Sequence, residues 1–455
     1  MLNTNRTNDG VSQRPASQVE HGMSYEFLKL MIDLRPAEVP ALGWSWLYIF
    51  SVLSSYYILR PIRDEMGVAG GVENLQWLFT GTLIGMILVN PAFAALVARL
   101  PRVRFISISY RFFFANLLLF AVLLKLATAE QNIWIGRVFF IWTSVFNLFV
   151  VSVFWALMVD VFDSEQSKRL FGFIAAGATL GGIVGSSITA ALAQQISAIY
   201  LLLGSAVLLE LAVFSVRRLS QISEAPHERP AAHAEEAPIG GSILSGLSHA
   251  FKSPYLVNVS GYILLYAITS TFLYFQQAEI ARASFADRGS RTAFFARIDL
   301  WVNMLTLSAQ LFLTGRVLRV IGVALTLATL PALSILGFAT LAVTPTILAL
   351  VIYQVLRRAG NFAFARPSRE VLFTVVARED KYKAKSFIDT VVYRAGDQVG
   401  AWSYAFLGFL GLGLTGVALA AVPISLVWLF NSLWLGRKQE KLAAAAKTDS
   451  PVAGS

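Results

Sequence analysis

Two arginines, Arg357 and Arg358, stand side by side within the apolar stretch 345–365. Charge at that depth in a bilayer is costly and is kept only with a partner or a task. A guanidinium presents a planar fork of donors that grips phosphate or carboxylate oxygens in pairs, so the chemistry indicated is capture of an anion. Tyr353, Arg357 and Asn361 recur at i,i+4 and form one polar stripe, with Arg358 about 100° round the helix. The opposing reading is an internal clamp, with Arg357 held by a carboxylate of a neighbouring helix such as Asp299 or Asp397. Both readings hold together if a solute competes with that carboxylate.

Other charges gather in the same way. The run Tyr57–Gly67 crowds Arg60, Arg63, Asp64 and Glu65 at the end of the first apolar segment. Either the cluster pairs with itself at the interface, or Arg63 faces a cavity and joins in anion capture. The i,i+3 spacing puts Arg60 and Arg63 on one face. Arg111 lies about one and a half turns inside the third segment, where it either snorkels or lines a cavity. Asp299 and Asn303 stand at i,i+4 in the eighth segment. A lone intramembrane carboxylate is a candidate proton or cation site, or else pairs with Arg297 or with a charge on another helix. Asp389, Tyr393, Arg394 and Asp397 share the eleventh segment; the local alternatives are Arg394 with Asp397 and Lys385 with Asp389. The candidate substrate ligands are therefore Arg63, Arg111, Arg357, Arg358, Asn361 and Arg394. The candidates for coupling or gating are Asp64, Asp299, Asp389 and Asp397.

The elements that must hold these residues follow from composition. Of 455 residues, 56% are hydrophobic and only 14% charged, against roughly 25% charged in soluble proteins. Mean hydropathy is +0.62, so the chain reads as a polytopic membrane protein. There is no cysteine, which excludes disulfides and thiolate metal sites. His21, His227, His233 and His249 lie in polar segments, so no histidine metal site or proton relay falls within the membrane. No metal, cofactor or catalytic centre is expected. The net charge of +10 reads as basic loops beside anionic lipid rather than as a site for nucleic-acid polymer.

Twelve apolar segments reach the ~20 residues needed to span as helices. They run 39–59, 75–98, 106–126, 134–160, 171–193 and 197–216, then 254–279, 293–315, 320–343, 345–366, 385–408 and 412–435. Residues 1–38 form a polar N-terminus, 217–253 a flexible linker and 436–455 a polar tail. With the N-terminus inside, about 25 Lys and Arg fall on the cytoplasmic side and about five outside, which sets both termini in the cytoplasm. Glycines 177, 181 and 185 share one helical face, a feature of close helix packing. No phosphate loop follows them, so energy for any work must come from gradients or exchange.

The two halves echo each other at an offset near 215. Lys168, Gly181 and Gly185 fall on Lys383, Gly396 and Gly400, and Arg104 falls on Arg319. Six segments per half, entering in the same sense, match the organisation of a major facilitator-like fold: an all-α membrane protein of twelve transmembrane helices in two six-helix halves, 39–216 and 254–435.

Three stretches resemble the nucleotide transporter family, the ATP/ADP translocases of plastids and intracellular bacteria. They are Ile58-Leu-Arg-Pro-Ile-Arg-Asp64, then Asp163-Ser-Glu-Gln-Ser-Lys-Arg-Leu-Phe-Gly172, then Arg358-Ala-Gly-Asn-Phe with Pro367-Ser-Arg-Glu370, Lys381 to Asp389 and Tyr393-Arg-Ala-Gly396. The resemblance implies a carrier that exchanges nucleoside triphosphates for diphosphates, or takes up nucleotides with protons, in a bacterial inner membrane. Arg63 stands where the family usually has lysine. Arg369-Glu370 falls on a Lys-Glu pair, and Lys383, Lys385, Asp389 and Arg394 match in type. Asn361 replaces a lysine, Arg366 an acid and Asp397 a lysine, which marks a divergent bacterial branch. The residues alone leave two other classes: a carrier of a non-nucleotide organic anion, and a non-transporting scaffold on the same fold. Nothing in the sequence points to an oligomer.

Overall fold

The structure is a computed structural model that describes residues 34–223, 253–376 and 384–448. Twelve long helices account for nearly all of it, and no strand occurs among the described residues. They are α1 Val39–Ala69, α2 Leu75–Arg99, α3 Arg102–Leu126, α4 Ala129–Val161, α5 Ser164–Leu192 and α6 Ala198–Ser223. Then come α7 Pro254–Ser284, α8 Arg288–Phe312, α9 Thr314–Val343, α10 Ile347–Gly360, α11 Tyr393–Phe409 and α12 Leu414–Thr448. A π turn, Asn361–Ala365, continues α10 into the short helix Arg366–Leu372, and a second, Ile388–Val392, leads into α11.

Helix starts follow local chemistry. Thr128 and Asp163 each cap a helix reciprocally with a glutamine three residues on, Gln131 and Gln166. Ser253, Asp287 and Thr346 cap α7, α8 and α10. Each cap satisfies a backbone donor that the helix itself leaves free. Gly71 and Gly411 turn the chain between α1 and α2 and between α11 and α12, with φ of 94° and 84° that L side chains rarely adopt.

Two boundaries differ from expectation for physical reasons. The first span was expected to end at 59, yet α1 continues to Ala69 and carries Arg60, Arg63, Asp64 and Glu65 inside the helix. Partners on other helices compensate those charges, so the helix need not end before them. The linker was expected from 217 and the polar tail from 436, but α6 runs on through Ser223 and α12 through Thr448; the rest of the linker, Lys383, residues 1–33 and residues 449–455 lie outside the described residues. Ten of the helices are long and apolar enough to cross a bilayer. The other two are α8, loaded with Arg288, Arg291, Arg297 and Asp299, and α11, only 17 residues long beyond its π turn.

Within the first six helices, α1 packs on α4, α5 and α6, and α3 packs on α6. Within the last six, α7 packs on α11 and α12, and α9 on α12. The two sets meet where α8 lies on α5 and α1, and where α11 lies on α2. The glycine faces make the closest crossings. A Cβ on Gly181 would come to 2.5 Å from the Phe50 carbonyl oxygen of α1, and one on Gly185 would run into the Ser54 carbonyl oxygen. Their counterparts behave alike: a Cβ on Gly396 would meet Ala267 at 2.6 Å, and one on Gly400 would meet Thr271 at 3.0 Å. The glycines that echo each other in sequence thus seat α5 on α1 and α11 on α7.

Gly185→Val therefore forces α5 away from the Ser54 backbone. Overpacking of this kind costs about 1–3 kcal/mol. The expected result is a lower Tm for the purified protein in detergent, while Gly172→Ala, where a Cβ meets nothing within 4 Å and the helix gains propensity, does not lower it.

Candidate functional site

Four successive charges on α1 point in different directions, because each residue advances the helix by about 100°. Arg60 donates to Asp299 of α8 at 2.9 Å. Arg63 holds its neighbour Asp64 through Nε at 2.9 Å and Nη2 at 2.6 Å, donates to Ser144 of α4 at 3.3 Å and lies over the Phe140 ring. Asp64 also accepts from the Tyr274 hydroxyl of α7 at 3.0 Å. Glu65 accepts from Arg288 and Arg291 of α8 at 3.1 and 3.0 Å. Arg60 and Arg63 were expected to share a face, but they serve different clusters.

Asp299 is the hub of one cluster. Its Oδ1 accepts from Arg60 and, at 2.7 Å, from Arg358 of α10. The carboxylate is buried, with Oδ2 left without a hydrogen bond, and Asn303 donates to the Asp299 backbone carbonyl. Two cations thus share one anion, drawn from helices of both sets. Arg297, the local partner considered from sequence, takes no part in this cluster.

Arg357 corrects the expectation placed on it. Its side chain is only 1% exposed, and its partners are hydroxyls and a carbonyl. It donates to Ser334 at 3.2 Å, Ser270 at 3.1 Å, the Tyr266 carbonyl at 3.2 Å and Thr269 at 2.9 Å. The faces of Tyr266 and Trp428 lie 5.1 and 5.9 Å from its guanidinium carbon. Dipoles and aromatic faces replace a counter-ion. Neither Asp299 nor Asp397 clamps it; it fastens α7, α9, α10 and α12 together and does not itself line the cavity described below. Asn361 is likewise buried, at the start of the π turn.

The open space lies elsewhere. A cavity of about 210 Å³ runs between α1, α2, α4, α7 and α11. Arg63 reaches it from one set of helices and Arg394 from the other, with Asp397 beside Arg394. Arg394 donates to Asp397 Oδ2 at 3.0 Å, and Thr271 stands 3.5 Å from Oδ1. Gln398, Asn147 and Ser144 supply neutral polar groups, and Tyr56, Phe79, Phe140, Tyr274 and Tyr393 supply aromatic wall. Arginine forks, amides and aromatic faces in one space suit a ligand with an anionic end and a flat ring.

Of the ten residues singled out from sequence, Arg63, Arg394 and Asp397 line this cavity, and Asp64 bears on it through Arg63. Arg358 and Asp299 form the separate cluster with Arg60. Asp389 lies apart, 3.3 Å from Arg369, while Lys385 bonds Glu370 instead of Asp389. Arg111 is far from a shared site: it pairs with Glu210 at 2.7 Å on the exposed side of α3. Sequence reasoning missed Ser144 and Asn147, although i,i+3 polar residues in so apolar a helix as α4 were a signal. It also missed Thr271, Tyr274 and Gln398, and the half-buried pair of Glu279 with Tyr404 at 2.8 Å.

Comparison with known proteins places this arrangement. The family model described as Major Facilitator Superfamily matches residues 43–364. ADP,ATP carrier protein 1 of Chlamydia trachomatis is 22% identical over 69% of this chain and 68% of its own length. ADP,ATP carrier protein 2 of Chlamydia pneumoniae is 21% identical over 88% and 89%. Among solved structures, a bacterial homologue of the human lysosomal transporter Spinster superposes with a TM-score of 0.58 at 13% identity, over 92% of this chain and all of that one. The nucleoside transporter NupG gives 0.52 at 14% identity over 90% and 99%. The chain belongs to the Major Facilitator Superfamily of membrane transporters, and it is similar, at 21–22% identity, to the chlamydial ADP,ATP carrier proteins.

Proposed function

We propose that this protein is a secondary carrier of a phosphorylated anion, most specifically a nucleotide, moved by exchange or with protons. One observation carries the reading: a single cavity receives an arginine from each set of helices, Arg63 and Arg394, each held by an adjacent carboxylate. The names of the chlamydial relatives, and of the nucleoside transporter with a similar fold, support the choice of solute.

In this reading the twelve helices cross the bacterial inner membrane as two six-helix halves, α1–α6 and α7–α12, with both termini cytoplasmic. The halves rock about the cavity, as alternating access requires. Polar contacts between them gather toward the end that holds the α1–α2 and α7–α8 turns, with Glu65–Arg291, Arg282–Glu73 and Thr80–Gln398, and Arg60–Asp299 continues them to the middle of α8. With the termini inside, that end is the outer one, so the contacts close the outer gate. At about 210 Å³ the cavity lies below the roughly 300–1,000 Å³ of small-molecule sites. It accommodates part of a nucleotide, and the halves part further to admit the whole.

The carboxylates do two things. With the cavity empty, Asp64 and Asp397 hold the arginines in place and cancel their charge. When an anion arrives, its oxygens compete for the same forks, and the released carboxylate becomes the group able to take a proton. Asp299 and Asp389 remain candidates for gating through Arg60 and Arg358 and through Arg369.

Uptake of labelled ATP into proteoliposomes loaded with unlabelled ATP or ADP tests the reading. No uptake of any nucleotide by correctly inserted wild-type protein rules out the solute. A hydrogen bond to a charged group contributes about 1.5–3 kcal/mol, so Arg394→Ala is expected to weaken uptake roughly 10- to 100-fold while the folded amount is unchanged. Arg357→Met behaves in the opposite way. It strands buried hydroxyls at about 1–3 kcal/mol each, so the Tm falls and the folded fraction keeps its nucleotide affinity.

A further inference from the structure

Among the described residues, the pair formed by Arg111 and Glu210 differs from the buried ion pairs around Asp299 and Glu65. It faces outward, with the two side chains 49% and 44% exposed. By the spans 106–126 and 197–216, Arg111 lies about 8 Å and Glu210 about 9 Å from the same end of the span at 1.5 Å per residue. Both therefore sit inside the ~30 Å hydrocarbon layer. While the guanidinium holds Glu210 it does not extend toward water, and acyl chains offer neither donors nor acceptors.

The surface around the pair adds a second, independent observation. Gly204 lies on the same exposed stripe of α6 as Val207, Glu210 and Phe214. A glycine within a helix weakens it, and it is tolerated where another helix comes close. Within this chain a Cβ on Gly204 would meet nothing within 4 Å. The glycines at the internal crossings have backbone or side chains against them; this one faces open space.

We propose that the α3–α6 face is the contact between two copies of this chain in the membrane. The charges are self-complementary. Arg111 and Glu210 stand at one depth, so a twofold axis along the membrane normal sets Arg111 of each copy against Glu210 of the other. Four charges then close a ring in which each guanidinium spans two carboxylates, and the exposed glycines admit close approach of the two α6 helices. Phe112 and Val207, 60% and 68% exposed, pack around the ring.

The chain contains no cysteine, so single-cysteine variants report this contact directly. Leu203→Cys, Val207→Cys and Phe214→Cys are each treated with a membrane-permeable bis-maleimide in native membranes, with Leu336→Cys on exposed α9 as the control. The expected result is a covalent dimer from the α6 variants and none from the control. Adding Arg111→Glu lowers the dimer, normalised to the amount of correctly inserted protein, several-fold, and adding Glu210→Arg to that restores it; the normalisation separates lost contact from lost folding, because the swap also restores the pair within one chain. No dimer from any of the three positions, equal yield from Leu336→Cys, or a yield indifferent to the charge swap overturns the proposal.

Discussion

An arginine in hydrocarbon must be compensated by a counter-ion, by dipoles or by access to water, and this constraint organises the molecule. Arg357 is compensated by hydroxyls, a carbonyl and two aromatic rings, and it serves as a staple among four helices. Arg60 and Arg358 share Asp299, leaving one positive charge in excess. Arg63 and Arg394 each have a carboxylate of their own, but those pairs border open space. The degree of compensation therefore divides structure from function. A guanidinium enclosed by neutral dipoles has no reason to move, whereas one paired at the edge of a cavity has an exchangeable partner.

In the proposed cycle, exchange of partners lets the cavity open and close without exposing bare charge. There, an anion entering between Arg63 and Arg394 replaces carboxylate oxygens with its own, so each fork keeps its contacts through the change. The Asp299 cluster joins α1 of one helix set to α8 and α10 of the other, and so does Glu65 with α8. Breaking one partner of a buried pair costs about 3–5 kcal/mol. In the proposed cycle the outer gate can open only if binding energy or a proton offsets that cost, and this links gating to occupancy.

The fold was largely legible in the sequence because it rests on repeating signals. Apolar length marked the helices, and Gly181, Gly185, Gly396 and Gly400 marked the crossings that the packing confirms. The site was less legible because the direction of a side chain is decided by tertiary packing. Arg357 and Arg358 are adjacent in sequence, yet one is sealed among helices and the other reaches Asp299. Arg394 and Asp397 were readable as an i,i+3 pair, but nothing local revealed that Arg63 would border the same cavity. Arg111 read as equally suited to a cavity; the exposed face of α3 decided otherwise. Replacement of a family lysine by Asp397 was visible, as was its pairing with Arg394; that the pair borders a cavity emerged only from the geometry.

The central claim is that carboxylates occupy the arginine forks until an anion displaces them. Equilibrium binding of labelled ATP to the purified carrier, wild type against Asp397→Asn, tests it most directly. Neutralising the competitor frees Arg394, so the account predicts tighter binding by the variant, by several-fold, with a weaker dependence on pH. Weaker or unchanged binding by a folded Asp397→Asn protein would contradict it.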